Sequence, residues 1–302
     1  MTKVEAYLTY LRHERNYSRH TEISYFTDLH QFEKFVTELM GEFSPEQIDA
    51  DMVRRWLVAL VEGNVAPRSV ARKLSAIKSF YNYLLEHRLV VSNPAKGIKA
   101  PKPNKPLPSF VNYSEMKPLL DDFVDDSTDK NEYVAFLNHT IVELLYITGM
   151  RRDELIRLRD SDVDFSAKQL LVNGKRNKQR IIPISEEAVV FLKRYQELRS
   201  IEVGRKASAF LLLRNGKPLY PMYVYRIVHH YLEHISTLSK ASPHVLRHSF
   251  ATGMLNNGAE INSVKELLGH SSLASTEVYT HTSVEELKRI YEKAHPRAEV
   301  KN

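Results

Sequence analysis

The sequence predicts a mainly α-helical protein of two domains, the second carrying a small antiparallel β-sheet. Three observations lead there. At 302 residues the chain is too long for one ordinary core and suits two. It holds only 10 Gly among many Leu, Glu, Lys and Arg, which favours helix and argues against a Gly-rich nucleotide-binding fold. The run Ala100-Pro101-Lys102-Pro103-Asn104-Lys105-Pro106-Leu107-Pro108 cannot continue a helix and favours an extended connector. The domain limits that follow are 1–99, a linker over 100–110, and 111–302.

In the first domain Ser18 is placed to cap a helix with Phe26, Leu29, Phe32 and Val36 on its apolar side. Ser44-Pro45-Glu46 is a second start signal, leading to Trp56, Leu57 and Leu60, and Pro67 is a third. In that third helix Val70, Leu74, Ile77, Tyr81 and Leu84 form one stripe. Arg68, Arg72, Ser75 and Ser79 fall on the opposite side, a basic face expected to stay free.

The second domain reads as helical from Ser114 onward. Ile141 to Tyr146 belong to a buried helix, and Asp153 to Leu158 to a short one after the Thr148-Gly149 break. Leu170-Leu171-Val172 and Arg180-Ile181-Ile182-Pro183-Ile184 flank the polar turn Asn173 to Gln179, which predicts a β-hairpin with a basic tip. Helices resume at Ser185. Phe210-Leu211-Leu212-Leu213, before Asn215-Gly216, is a further strand candidate, and helices then run to Pro296.

Composition narrows the chemistry. With no cysteine, disulfides, thiolate nucleophiles and Cys-based zinc sites are excluded. No apolar run approaches the ~20 residues of a membrane span, and the amino-terminal residues are charged where a signal peptide is apolar, so a cytoplasmic protein is expected. The net charge of +6 suits an acidic polymer as partner. Its distribution is uneven: residues 1–64 hold 7 Lys and Arg against 11 Asp and Glu, whereas residues 65–105 hold 9 against 1. Clustering of this kind is what neutralising several phosphates requires.

Five patches concentrate reactive side chains: Gly149-Met150-Arg151-Arg152-Asp153-Glu154-Leu155, the tip around Lys175, His244-Val245-Leu246-Arg247-His248, Leu268-Gly269-His270-Ser271, and Val278-Tyr279-Thr280-His281. His244 and His248 have a spacing that also serves zinc, but no general-base Glu lies between them and no carboxylate ligand is evident, so no metal is expected. Together, and in this order, the patches resemble the tyrosine recombinases, or phage integrase family, along the whole chain. The most specific segments are Thr148 to Leu155, His244 to His248, and Leu267-Leu268-Gly269-His270 followed by Tyr279. The short connector and the ending Tyr291 to Ala298 look like the Xer branch, which resolves chromosome dimers.

The resemblance implies an amino-terminal SAM-like core-binding domain and a catalytic domain that close on DNA as a C-shaped clamp. It implies that Tyr279 is the nucleophile, that Arg151 and Arg247 hold the scissile phosphate, that Lys175 protonates the leaving oxygen, and that His244 and His270 complete the phosphate site. The physical chemistry is consistent. Free tyrosine titrates near pH 10, so only about one part in a thousand is phenolate at neutral pH, and attack needs a proton acceptor such as His244 or a strongly cationic pocket. Guanidiniums counter charge growing on non-bridging oxygens more directionally than lysine does. The departing alkoxide needs a proton donor, for which Lys178 on the same turn is the rival to Lys175.

Phosphodiester energy is conserved in a phosphotyrosine, so no cofactor is expected. The implied partners are duplex DNA, other recombinase protomers in a homo- or hetero-tetramer on two sites, and an FtsK-type septal translocase, with no membrane. Candidate DNA contacts are Arg68, Arg72, Ser75, Lys78, Ser79, Lys102 and Lys105. Leu287, Ile290, Tyr291 and Ala294 give the segment Ser283 to Ala294 an apolar face, expected to dock on a neighbouring subunit. Other readings are a mobile-element integrase, a type IB topoisomerase-like enzyme and a DNA-binding protein without catalysis.

Overall fold

The computed structural model describes residues 2–15, 17, 19–101, 110–121, 131–174, 178–204, 208–233, 235, 238, 241–269 and 284–297. Ser18, Lys102, Lys105, Lys175, His270 and Tyr279 lie outside these described residues. The chain separates into two compact units, residues 1–106 and 107–302. Among the described residues no helix is long and apolar enough to cross a membrane.

The first unit consists of α1 (Lys3–His13), α2 (Arg19–Met40), α3 (Ala50–Glu62) and α4 (Pro67–Glu86). Leu29, Phe32 and Val36 of α2 pack with Trp56 and Leu57 of α3 and with the Val70-Leu74-Ile77-Tyr81-Leu84 stripe of α4. Phe26, expected on the same face, is exposed and lies over the His30 ring at 4.1 Å. At that turn α2 meets α4 through a charge: Asp28 is wholly buried and pairs with Arg72 and Lys73. Pro67 opens α4 as predicted. Ser44-Pro45-Glu46 does not open α3, because the extended Ile48 breaks a short 3-10 turn from the helix; Asp49 caps α3 instead, accepting from the Met52 amide at 2.8 Å.

The basic face of α4 is less free than expected. Arg68 and Ser75 are exposed, but Arg72 is tied to Asp28, and Ser79 accepts from the Tyr7 hydroxyl at 2.7 Å. The Lys78 ammonium donates to the Ile98 carbonyl at 2.7 Å. Side chains from α1 and α2 and a backbone carbonyl after α4 claim these groups, and a single-helix projection carries no information about them.

The second unit contains α5 (Tyr113–Asp121), α6 (Glu132–Thr148), α7 (Arg152–Arg157), β1 (Val163–Asp164), β2 (Gln169–Asn173), β3 (Gln179–Pro183), α8 (Glu186–Glu202), α9 (Pro221–Leu232), α10 (Pro243–Asn256), α11 (Ile261–Leu268) and α12 (Val284–Ala294). The strands form one antiparallel sheet in the order β1-β2-β3, with Leu170 opposite Ile182 and Asn173 opposite Gln179. The predicted hairpin is therefore present. Helix α6 is buried along its length and anchors the core.

Two expectations are corrected. Phe210, Leu211 and Leu212 are buried and Leu213 is half-buried, but the segment forms no strand: Leu212 makes a single bridge to Pro218. The Leu212 backbone is satisfied by tyrosines instead, the Tyr133 hydroxyl donating to the Leu212 carbonyl at 2.6 Å and the Leu212 amide donating to the Tyr195 oxygen at 3.1 Å. The apolar face of α12 is covered within the same chain. Leu287, Tyr291 and Ala294 pack with Phe250 and Met254 of α10 and Val264, Leu267 and Leu268 of α11, and the Tyr291 hydroxyl donates to the Ile147 carbonyl at 3.0 Å.

Candidate active site

The site is built where α6 ends. Gly149 closes that helix in the left-handed region, φ +58°, and a Cβ there would lie 2.6 Å from Phe250 and 2.9 Å from Leu268, so both conformation and space demand glycine. The buried Thr148 hydroxyl accepts from the Met150 amide at 3.2 Å and turns the chain outward. Arg151 follows directly before α7. Its amide donates to Glu154 Oε2 at 2.8 Å, half of a capping box, which fixes the first turn of α7.

Glu154 is the hub. Its Oε1 accepts from Arg151 Nη1 at 2.7 Å and from Arg180 Nη1 at 3.1 Å, and its Oε2 accepts from Arg180 Nη2 at 2.8 Å. Burial works to raise this carboxyl's pKa, but hydrogen bonds and charge from Arg180, then Arg151, outweigh it and hold the group below the usual carboxylate range. Arg180 also donates through Nε to the Leu267 carbonyl at 2.7 Å, which ties β3 to α11.

From α10, Arg247 donates through Nη1 to the Gly149 carbonyl at 2.7 Å and through Nη2 to the Leu268 carbonyl at 2.6 Å. Arg151 Nη2 reaches the adjoining Gly269 carbonyl at 3.4 Å. Both guanidiniums are thus moored to the end of α11, immediately before His270. Burial, then repulsion from Arg151 and Arg180, pulls Arg247 down to about 10, which still leaves it protonated at neutral pH. His244 lies one turn before Arg247. Partial desolvation, then the charges of Arg247, Arg152 and Arg151, lowers its pKa below the ordinary 6.5, so it is neutral at pH 7 and free to accept a proton.

The structure therefore brings Arg151, His244 and Arg247 together, with Glu154 supporting Arg151. His248 is exposed and makes no bond to Arg151 among the described residues. No group of three or more His, Cys, Asp or Glu suited to a metal ion occurs among the described residues.

The phage integrase family model matches residues 114–286, and the model for the phage integrase N-terminal SAM-like domain matches residues 4–88. Tyrosine recombinase XerC of Chlorobaculum parvum is 38% identical over 98% of this chain and 94% of its own length. The chain belongs to the phage integrase family. It is a site-specific tyrosine recombinase of the Xer branch, and XerC of Bacillus licheniformis, 36% identical over 99% of both chains, agrees. Among solved structures, the Tn1549 transposon integrase in complex with transposon right end DNA shares the fold, with a TM-score of 0.70 at 20% identity over 96% of this chain and 98% of that one. So does XerH bound to palindromic difH, with a TM-score of 0.69 at 22% identity over 91% and 80%.

Arg180 joins this recombinase's cluster from outside the five patches. A signal was present: on β3 it alternates in phase with the buried Ile182, so it points to the core side of the sheet, and a charge there requires a buried partner.

Proposed function

We propose that this recombinase cuts and rejoins duplex DNA through a 3′-phosphotyrosine on Tyr279. The observation that supports this is the convergence of two arginines, Arg151 and Arg247, on consecutive backbone groups at the end of α11 beside a neutral His244. In the proposed step the Tyr279 oxygen attacks the scissile phosphorus and its proton passes to His244. The phosphorus–O5′ bond breaks, and Lys175 gives its proton to the departing O5′. Arg151, Arg247 and His270 take the charge on the non-bridging oxygens. Rejoining is the reverse step with a 5′-hydroxyl from the partner duplex, so bond energy is conserved and neither ATP nor a metal is required.

The proposal extends to the partners. The first unit and the connector grip one side of the duplex as part of a clamp, with Arg68 and Ser75 of α4 and Lys102 and Lys105 of the connector as contacts; Arg72, Lys78 and Ser79 take part only by exchanging their internal bonds. Four protomers, from this chain alone or with a sister recombinase, join two sites. The kinship with XerC supports resolution of chromosome dimers as the cellular role, with an FtsK-type translocase activating the complex.

A supercoiled plasmid carrying two copies of a site recovered by binding selection tests the reaction. Resolved or inverted products are expected. Relaxation without recombinant products would mean a topoisomerase, and binding without a covalent complex would mean a protein that has lost the chemistry.

A further inference from the structure

We infer that Arg180 is a positioning residue for the reaction: it neutralises Glu154, so that the charge of Arg151 stays available to the scissile phosphate. The inference rests on the reading of Arg151 as a phosphate ligand. An Arg151–Glu154 pair alone is neutral overall and has little pull on an anion. Glu154 is there because Arg151 must be held in place, and its carboxylate fixes both the backbone and the guanidinium of that residue. The cost is a negative charge at the edge of a phosphate site.

Arg180 removes that cost. Its Nη atoms bind both carboxylate oxygens in a fork, and its Nε is spent on the Leu267 carbonyl. Its side chain is only 9% exposed, so its part is played through Glu154 rather than on DNA. With Arg180 in place the three groups sum to one positive charge, and Arg247 adds a second. The same side chain lies against Gly269, where a Cβ would come within 3.2 Å of Arg180 Cδ and Nη1. One residue of β3 therefore braces α7 and the end of α11 as well as setting the charge between them.

The experiment uses the full chain on a suicide duplex built from the selected site, with either a phosphodiester or a neutral methylphosphonate at the scissile position. Arg180→Met is expected to slow covalent-complex formation on the phosphodiester by ~100-fold, the scale of one lost charge-stabilising group, with DNA affinity kept. On the methylphosphonate, where less negative charge needs countering, the deficit should shrink to ~10-fold or less. Adding Glu154→Gln to Arg180→Met should restore part of the phosphodiester rate, because it removes the uncompensated charge. Arg180→Lys, which keeps the charge without the fork, should fall between wild type and Arg180→Met.

Equal deficits on both substrates, or no recovery with Glu154→Gln, would overturn the electrostatic role in favour of simple bracing. Wild-type rates in Arg180→Met would overturn it altogether. If thermal melting shows Arg180→Met to be unfolded, the same two-substrate comparison on Arg180→Lys decides. Failure of the wild-type protein to form any covalent complex would count against the proposed function instead.

Discussion

Each unit of the molecule contains a buried carboxylate held between two cations, and the two clusters end differently. In the first unit Asp28, 0% exposed, sits between Lys73 at 8% and Arg72 at 44%. In the second, Glu154 at 5% sits between Arg180 at 9% and Arg151 at 28%. In both, the buried cation satisfies the carboxylate and the more exposed one is left partly open to the outside. Only the second cluster has a third cation, Arg247, moored to the backbone beside it, and only there does a histidine stand neutral among the charges. A single positive excess suits an anchoring contact on a helix face. A double excess, with a proton acceptor at its edge, suits a transition state.

The largest effect is expected at the carboxylate of the first unit's cluster. Asp28→Ala strands Lys73 in the core and should cost ~3–5 kcal/mol of stability, read by urea unfolding, while cleavage at saturating DNA keeps its wild-type rate. A loss of cleavage in the folded variant would mean that the clusters are not separable. Next, Arg247→Lys should lower the cleavage rate by ~10²–10³-fold with little change in melting temperature, because an ammonium cannot hold two carbonyls and a phosphate together. Arg72→Lys should instead weaken DNA binding alone.

Smaller effects sharpen the contrast. With its pKa lowered, His244 should give a cleavage-rate profile whose midpoint lies below the ordinary histidine value of 6.5, the rate falling toward acid by about tenfold per pH unit well below that midpoint. Protonation abolishes the acceptor, so the fall must run toward acid; a single-turnover profile with its midpoint above pH 6.5 would contradict the assignment. The smallest effect is expected on α4, where Ser79→Ala removes the acceptor for Tyr7 and should cost ~1 kcal/mol in urea unfolding.

What the sequence made legible was whatever a local period encodes. Pro67 and the Val70-to-Leu84 stripe mark α4, and alternation on either side of a polar turn marks β2 and β3. Gly149, which the structure places in the left-handed region, and Arg151 two residues on were readable as a break and a motif. What stayed hidden was pairing at a distance. Arg180 lies 26 positions from Glu154, and Arg247 lies 98 from the Gly149 carbonyl it binds. The same blindness explains α12: an amphipathic stripe says that a face is covered, not what covers it, and Phe250 and Leu267 of the same chain do so. It also explains Arg72 and Ser79, whose partners come from α2 and α1.

The central claim is that the doubly positive cluster serves a tyrosine that becomes bonded to DNA. Incubating the wild-type protein with a nicked suicide duplex of the selected site, and separating the products under denaturing conditions, measures that bond directly. A covalent protein–DNA species that disappears in Tyr279→Phe is the predicted result. Its persistence in Tyr279→Phe would contradict the account.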